Sequence, residues 1–112
     1  FDDVKDNYTI MKEEPFGPLV PILTFKNFDE VIERANDNDL GLCSYLYTNS
    51  MDKAHIGSEK LETGCVAVNT GVVALAEAPF GGIKQTGYGR EGGSGAIKDY
   101  LNVKYTHMGL KI

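Results

Sequence analysis

Leu42-Cys43-Ser44-Tyr45-Leu46-Tyr47-Thr48 and Cys65-Val66-Ala67-Val68-Asn69 decide the fold of this chain. Both are short apolar runs rich in β-branched and aromatic residues, the pattern of strands in a covered sheet. Between them, Asn49-Ser50 turns the chain and caps a helix over Met51 to Glu62. Its apolar face reads as Met51, Ala54, Ser58 and Leu61. Gly57 weakens it by about 1 kcal/mol relative to alanine, and Gly64 closes it as the residue after the C-cap.

Working upstream, Val20 to Phe25 reads as a further buried strand, with Pro21 near its start, where a missing N–H is tolerated. Asn27 is placed to cap a helix, with Glu30 three residues on as a variant of the capping box. Phe28, Val31, Ile32 and Ala35 then share one helical face, and Asn36-Asp37-Asn38-Asp39 ends the helix. Residues 1 to 14 are polar, with one short alternating piece near Thr9 to Lys12.

Three near-apolar strands separated by single helices predict an α/β fold: a βαβαβ parallel sheet covered on both faces. Downstream, Ala96, Ile97, Tyr100 and Leu101 mark a short helix, and Val103 to His107 alternates as a terminal strand. No internal repeat or second domain is visible, so residues 1–112 read as one unit.

The 112 residues, 42% hydrophobic and 24% charged, allow one domain with one core. A net charge of -5 and scattered Lys and Arg argue against a nucleic-acid surface. No apolar run approaches the roughly twenty residues of a membrane helix. Phe1 to Lys12 carries no basic or apolar targeting pattern, which points to a cytoplasmic setting. A start at Phe1 without such a signal suggests a processed or truncated chain. Asn7-Tyr8-Thr9 fits a glycosylation sequon, which carries little weight without a secretory signal.

Cys43 and Cys65 lack a CxxC or His partner at metal-ligand spacing, so no metal site is expected. A disulfide between them is possible, but two buried thiols are the simpler reading. Neither has a neighbour that would make it a nucleophile. His55, on a helix, and His107, on the terminal strand, read as surface residues without an acid or base partner.

The most unusual segment is Ala78-Pro79-Phe80-Gly81-Gly82-Ile83-Lys84-Gln85-Thr86-Gly87-Tyr88-Gly89-Arg90-Glu91-Gly92-Gly93. So many glycines in a soluble domain mark sharp turns or close backbone approach. Gly87 to Gly92 fits GxGxxG literally, yet a Pro-Phe-Gly-Gly loop precedes it and no room remains for a complete dinucleotide-binding unit. A tight structural loop is the better reading. Upstream, Glu14 is held extended by Pro15, and a carboxylate on such a loop can accept from ligand hydroxyls. Phe16 offers a flat face to a planar ring. Taken alone, both residues are better read as an ordinary acid and a core aromatic.

Three segments carry a resemblance. Glu13 to Ile22 resembles the cofactor-contacting segment of the aldehyde dehydrogenase superfamily. Gly64 to Asn69 resembles its late core strand, and Pro79 to Gly92 its C-terminal signature loop. Order and spacing agree across essentially the whole chain. Asn69-Thr70-Gly71 and the Lys84-Gln85-Thr86-Gly87 run look most like succinate-semialdehyde dehydrogenases.

The resemblance implies oxidation of an aldehyde to a carboxylate with NAD or NADP. A cysteine thiolate attacks the aldehyde, hydride leaves to the nicotinamide, and a glutamate activates water. It implies that Glu14 binds the nicotinamide-side ribose and that Phe16 packs beside the nicotinamide. It implies that Phe80 lines the aldehyde tunnel, with Asn69 to Ala76, Ala74 among them, in its wall. The tail, residues 102–112 with its Val103–His107 strand, would serve oligomerisation in a homodimer or homotetramer.

The family's reactive cysteine and general-base glutamate lie upstream of everything present. The chain would be the last quarter or so of such an enzyme, inactive alone. Succinate-semialdehyde dehydrogenases place a serine before the Pro-Phe-Gly-Gly turn to hold the substrate carboxylate, where this chain has Val73-Ala74-Leu75-Ala76. Losing that charge-assisted bond costs about 1.5–3 kcal/mol. Succinate semialdehyde is therefore preferred only slightly over a related aliphatic or keto-acid semialdehyde. The alternative is a stand-alone small α/β binding or assembly module without catalysis.

Overall fold

The computed structural model describes residues 1–111. Helix α1 (Thr9–Lys12) is a single turn closed by Glu13 N–H donating to the Thr9 carbonyl at 2.9 Å. Thr9–Lys12 was expected to alternate as extended chain. A turn at Lys5–Tyr8 instead feeds the segment into a helical twist, with Met11 N–H on the Tyr8 carbonyl.

Helix α2 (Phe28–Asn36) follows the expected periodicity. Asn27 Oδ1 accepts from Glu30 N–H at 3.0 Å. The Glu30 carboxylate reaches back one residue further than an ordinary capping box, accepting from Lys26 N–H at 2.9 Å. On its inner face Ile32 is buried. Arg34, from the same helix, pairs with Asp6 at 2.8 Å and donates to the Thr24 carbonyl, tying the N-terminal segment to α2.

Strand β1 (Leu40–Gly41) and strand β2 (Cys43–Leu46) follow in quick succession. Helix α3 (Met51–Lys60), capped by Ser50 Oγ accepting from Lys53 N–H, leads to β3 (Cys65–Val68). β2 and β3 pair parallel, with Cys43 opposite Cys65 and Leu46 opposite Val68. This is one βαβ unit with its helix as the crossover. Thr48 N–H donates to Asn69 Oδ1 at 2.9 Å, and Asn69 Nδ2 donates to the Thr48 carbonyl at 2.9 Å, pinning the strand ends together. β4 (Ile83–Lys84) pairs antiparallel with β1.

The predicted third parallel strand is not formed. Val20 to Phe25 has no ladder among the described residues. Pro21 removes a donor, and the backbone bonds it makes to another segment run only to Phe1. Val20, Ile22 and Phe25 are more than half exposed. Val103 to His107 likewise forms no ladder, and residues 101–111 are exposed throughout. Ala96–Tyr100 forms a 3₁₀ turn with Ile97 and Tyr100 exposed, because no layer lies above it to reward a longer helix.

The α3 face also differs from expectation. Met51 and Ser58 are exposed, and the inward positions are Ala54, Gly57 and Leu61. Gly57 is buried under Leu46 and Phe28, and a Cβ there would meet Leu46 Cδ2 at 2.6 Å, which is why a glycine stands at this inward position. Gly64 is no helix terminator, since the Leu61 N–H already closes α3 on the Gly57 carbonyl. Its place is explained by close approach: a Cβ at Gly64 would fall on the Gly81 carbonyl oxygen.

The core is small. Ile32 (7% exposed) and Ala67 (4%) are the buried hydrophobic residues among those described. The Cα radius of gyration is 19.7 Å, whereas a compact domain of this length would measure about 13 Å. Leu42, Tyr45, Tyr47 and Ile56, in or beside the βαβ unit, are among the exposed large hydrophobic residues.

Candidate functional site

The glycine-rich segment forms a knot of short contacts around Phe80. Phe80 and Glu91 exchange backbone hydrogen bonds at 2.7 Å in both directions, closing residues 80–91 into a loop. Inside it, Arg90 Nη1 donates to the Gly82 and Gly89 carbonyls at 2.7 Å. Gly87 and Gly89 have φ of +107° and +106°, a region open to glycine and strained for other residues. No helix of useful length opens on this loop, which fits a structural role and leaves no phosphate cradle.

Beneath the loop lies β3. Cys65 Sγ is 3.7 Å from the Gly81 carbonyl. Beside the loop, Gly93 N–H donates to the Ala76 carbonyl at 2.9 Å and Ala78 N–H to Leu75. These bonds fold residues 74–78 against Gly92. The result is a cleft of about 260 Å³ lined by Ala74, Leu75, Ala76, Phe80, Glu91 and Gly92. Ala74 and Phe80 therefore face one space. A larger cleft of about 680 Å³ lies on the other side of Phe80, walled by Tyr88, Arg90, Asp99 and Tyr100 among others.

Glu14 and Phe16 stand elsewhere. Glu14 lines a separate cleft of about 210 Å³ with Pro15, Pro21 and Leu40. Phe16 is 94% exposed, not the core aromatic that its residue type suggested. Among the described residues the Glu14 carboxylate has no hydrogen-bond or ion-pair partner. Gly17 beside Phe16 has open space where a Cβ would stand.

The thiols are free and half-buried, so the simpler of the two expectations for them is the one observed, with less burial than expected. Burial pushes the Cys43 thiol up, reinforced by the neighbouring Cys65. A raised thiol is a poor nucleophile. Cys43 is expected to alkylate with iodoacetamide more slowly in the folded chain than in urea, read by mass spectrometry in mildly alkaline buffer. Its contribution to stability is present below the ordinary thiol range and is lost as pH rises through the folded thiol's pKa. Equal alkylation rates would refute that protection.

His55 is exposed, as expected, though it does have an acid partner: Nε2 lies 3.6 Å from Glu59. His107 lies 3.4 Å from the Tyr105 hydroxyl on the exposed tail. The described residues hold no group of three metal-ligating side chains, and no helix long and apolar enough to cross a membrane.

Residues 1–106 match the sequence profile of the aldehyde dehydrogenase family. The chain belongs to the aldehyde dehydrogenase family. It is 46% identical over 108 residues to the NADP(+)-dependent succinate-semialdehyde dehydrogenase of Escherichia coli (strain K12), covering 96% of this chain and 22% of that enzyme. It is 51% identical over 104 residues to retinaldehyde dehydrogenase 3 of Rattus norvegicus, covering 93% of this chain and 20% of that one. The NAD+ complex of an aldehyde dehydrogenase from Bacillus cereus superposes with a TM-score of 0.88 at 47% identity, covering 92% of this chain and 21% of that chain. The chain thus spans about a fifth of the length of the aldehyde dehydrogenases it matches.

Two residues that carry structure here entered the sequence analysis only through the resemblance, Asn69 in the tunnel wall and Lys84 in the Lys-Gln-Thr-Gly run. Asn69 sits at φ +55° and bonds Thr48 twice. Lys84 also sits at φ +55° and reaches the ends of both long helices. An Asn after a strand is a weak signal for the first. Nothing local signals the second.

Proposed function

We propose that this chain is the C-terminal part of the catalytic domain of an NAD(P)-dependent aldehyde dehydrogenase that oxidises an aliphatic semialdehyde, succinate semialdehyde foremost, to its carboxylate. The observation that carries the reading is the cleft shared by Ala74 and Phe80, in a chain whose family is aldehyde dehydrogenase. NAD or NADP, when bound, supplies the hydride acceptor. Glu14 accepts from ribose hydroxyls, and Phe16 lies against the nicotinamide. Phe80 and Ala74 wall the aldehyde's path and exclude water from it. The reactive thiol and the general base come from elsewhere in the whole enzyme. The 102–112 tail serves subunit contact in a homodimer or homotetramer in the cytoplasm, which would cover the exposed residues 102–111.

Replacing Glu14 with Gln in the whole enzyme is expected to raise KM for the cofactor roughly tenfold or more, since a charge-assisted bond is weakened. KM for the aldehyde should stay within about twofold. Steady-state kinetics with each substrate varied would show this, and an unmoved cofactor KM would remove Glu14 from the cofactor site.

A second reading has its own support. The wall Val73-Ala74-Leu75-Ala76 offers no hydroxyl to a substrate carboxylate, which favours a bulkier apolar aldehyde such as the one named for the rat relative. The ratio of kcat/KM for succinate semialdehyde to that for a long apolar aldehyde decides between them.

A further inference from the structure

We infer that Lys84 is a positioning residue for the aldehyde path: its ammonium fixes one end of the Phe80 loop to the C-terminal ends of α2 and α3, and so sets where the Phe80 ring stands. The inference rests on the reading of Phe80 as part of that path.

The ammonium has three donors and three acceptors. Nζ donates to the Asn36 carbonyl at 2.9 Å and the Asn38 carbonyl at 3.0 Å, and pairs with Glu62 at 2.7 Å. The two carbonyls lie at the C-terminal end of α2, where the helix dipole is negative and a cation is favoured. Asn36 extends the junction: its Nδ2 donates to the Lys60 carbonyl at 2.8 Å, and its Oδ1 accepts from Glu62 N–H at 2.9 Å. One cation and one amide thus tie together both helix ends and β4.

Lys84 itself is held at φ +55°. A non-glycine residue keeps such a backbone only where its surroundings over-determine it. Its neighbours complete the clamp. Gln85 N–H donates to the Asp39 carbonyl at 2.9 Å, and Thr86 Oγ1 accepts from Gly41 N–H at 2.8 Å. Between Phe80 and this clamp run only Gly81, Gly82 and Ile83. Gly81 lies against Gly64, and Gly82 lies against Thr86. Both glycines are boxed in, Gly81 by Gly89 and Arg90 and Gly82 by Thr86 and the Gly41 carbonyl, so a displacement at Lys84 is passed on to Phe80. At the other end of the loop Phe80 is held by Glu91. Removing the Lys84 anchor leaves the ring hinged on one side.

The test uses the full-length enzyme. Lys84→Met keeps the apolar stem and removes every donor, while Lys84→Arg restores charge. Lys84→Met is expected to raise KM for the aldehyde roughly tenfold and leave the cofactor KM within about twofold. Lys84→Arg should recover most of the loss. In a Phe80→Ala background, Lys84→Met should add little, because the ring it positions is gone. Glu62→Gln, which leaves the two carbonyl contacts, should move the aldehyde KM the same way by less, and stands in if Lys84→Met does not fold.

If Phe80→Ala alone leaves the aldehyde KM unchanged, the reading of Phe80 fails and the inference falls with it. If Phe80→Ala acts but the Lys84 effect is the same size in both backgrounds, the inference alone is overturned. It is also overturned if Lys84→Met lowers the melting temperature while both KM values stay put.

Discussion

Gly64→Ala in the full-length enzyme should destabilise the fold by about 3 kcal/mol or more, the upper range for overpacking against a part that cannot move. The added methyl would land on the Gly81 carbonyl oxygen, with the Gly81 carbonyl carbon at 2.8 Å and Gly82 Cα at 2.9 Å. All three are backbone atoms, so no rotamer change relieves the clash. The segment that would have to yield is fixed by the Phe80–Glu91 pair on one side and by β4 on the other. Activity should fall with stability, because the displaced carbonyl belongs to the residue after Phe80. Thermal unfolding of Gly64→Ala beside Gly17→Ala is the comparison to make. Gly17 has open space where a Cβ would stand, so its substitution should be near neutral. If the two variants melt together, the close approach is wrong.

The second large effect concerns the chain by itself. The purified 112-residue polypeptide is expected to form no NADH or NADPH from any aldehyde, a loss of roughly 10⁶-fold relative to the whole enzyme, the scale on which removing a nucleophile acts. The physical reasons lie in its two thiols. Cys43 is pushed up by burial, away from the ionised form that attacks carbonyls. Cys65 is turned onto the Gly81 carbonyl. Neither has a histidine beside it, for His55 pairs with Glu59 on the outer face of α3 and His107 lies on the exposed tail. A robust aldehyde-dependent rise in absorbance at the reduced-nicotinamide band would refute this and return one of the two cysteines to the mechanism.

What the sequence disclosed was local. The Asn27 and Ser50 caps, the Phe28–Ala35 periodicity and the apolar runs on either side of α3 each depend on residues a few positions apart, and each appears where expected. The strands expected at Val20–Phe25 and Val103–His107 differ in kind. Their alternation and apolarity suit a sheet, but a strand exists only with a partner, and the described residues supply none. The same distinction runs through the site. Phe80 and Ala74 meet because the loop between them is folded by its own backbone bonds. Glu14 and Phe16 stand apart from them, since no backbone bond among the described residues ties the Glu13–Pro18 segment to that loop. Lys84 was illegible because its partners are main-chain carbonyls far back in the chain, and a carbonyl has no side chain to read.

The pairing pattern also imposes an order in time. β2 and β3 join across a short stretch of chain, whereas β1 and β4 join across one roughly twice as long, and each doubling adds about 0.6 kcal/mol of closure entropy. The βαβ unit can therefore form while the glycine-rich loop is still emerging from the ribosome. Only when β3 has brought Gly64 into place does Gly81 have a surface to settle on. The cleft shared by Ala74 and Phe80 would then be among the last parts of this segment to take shape, and the least able to forgive a slow or faulty earlier step.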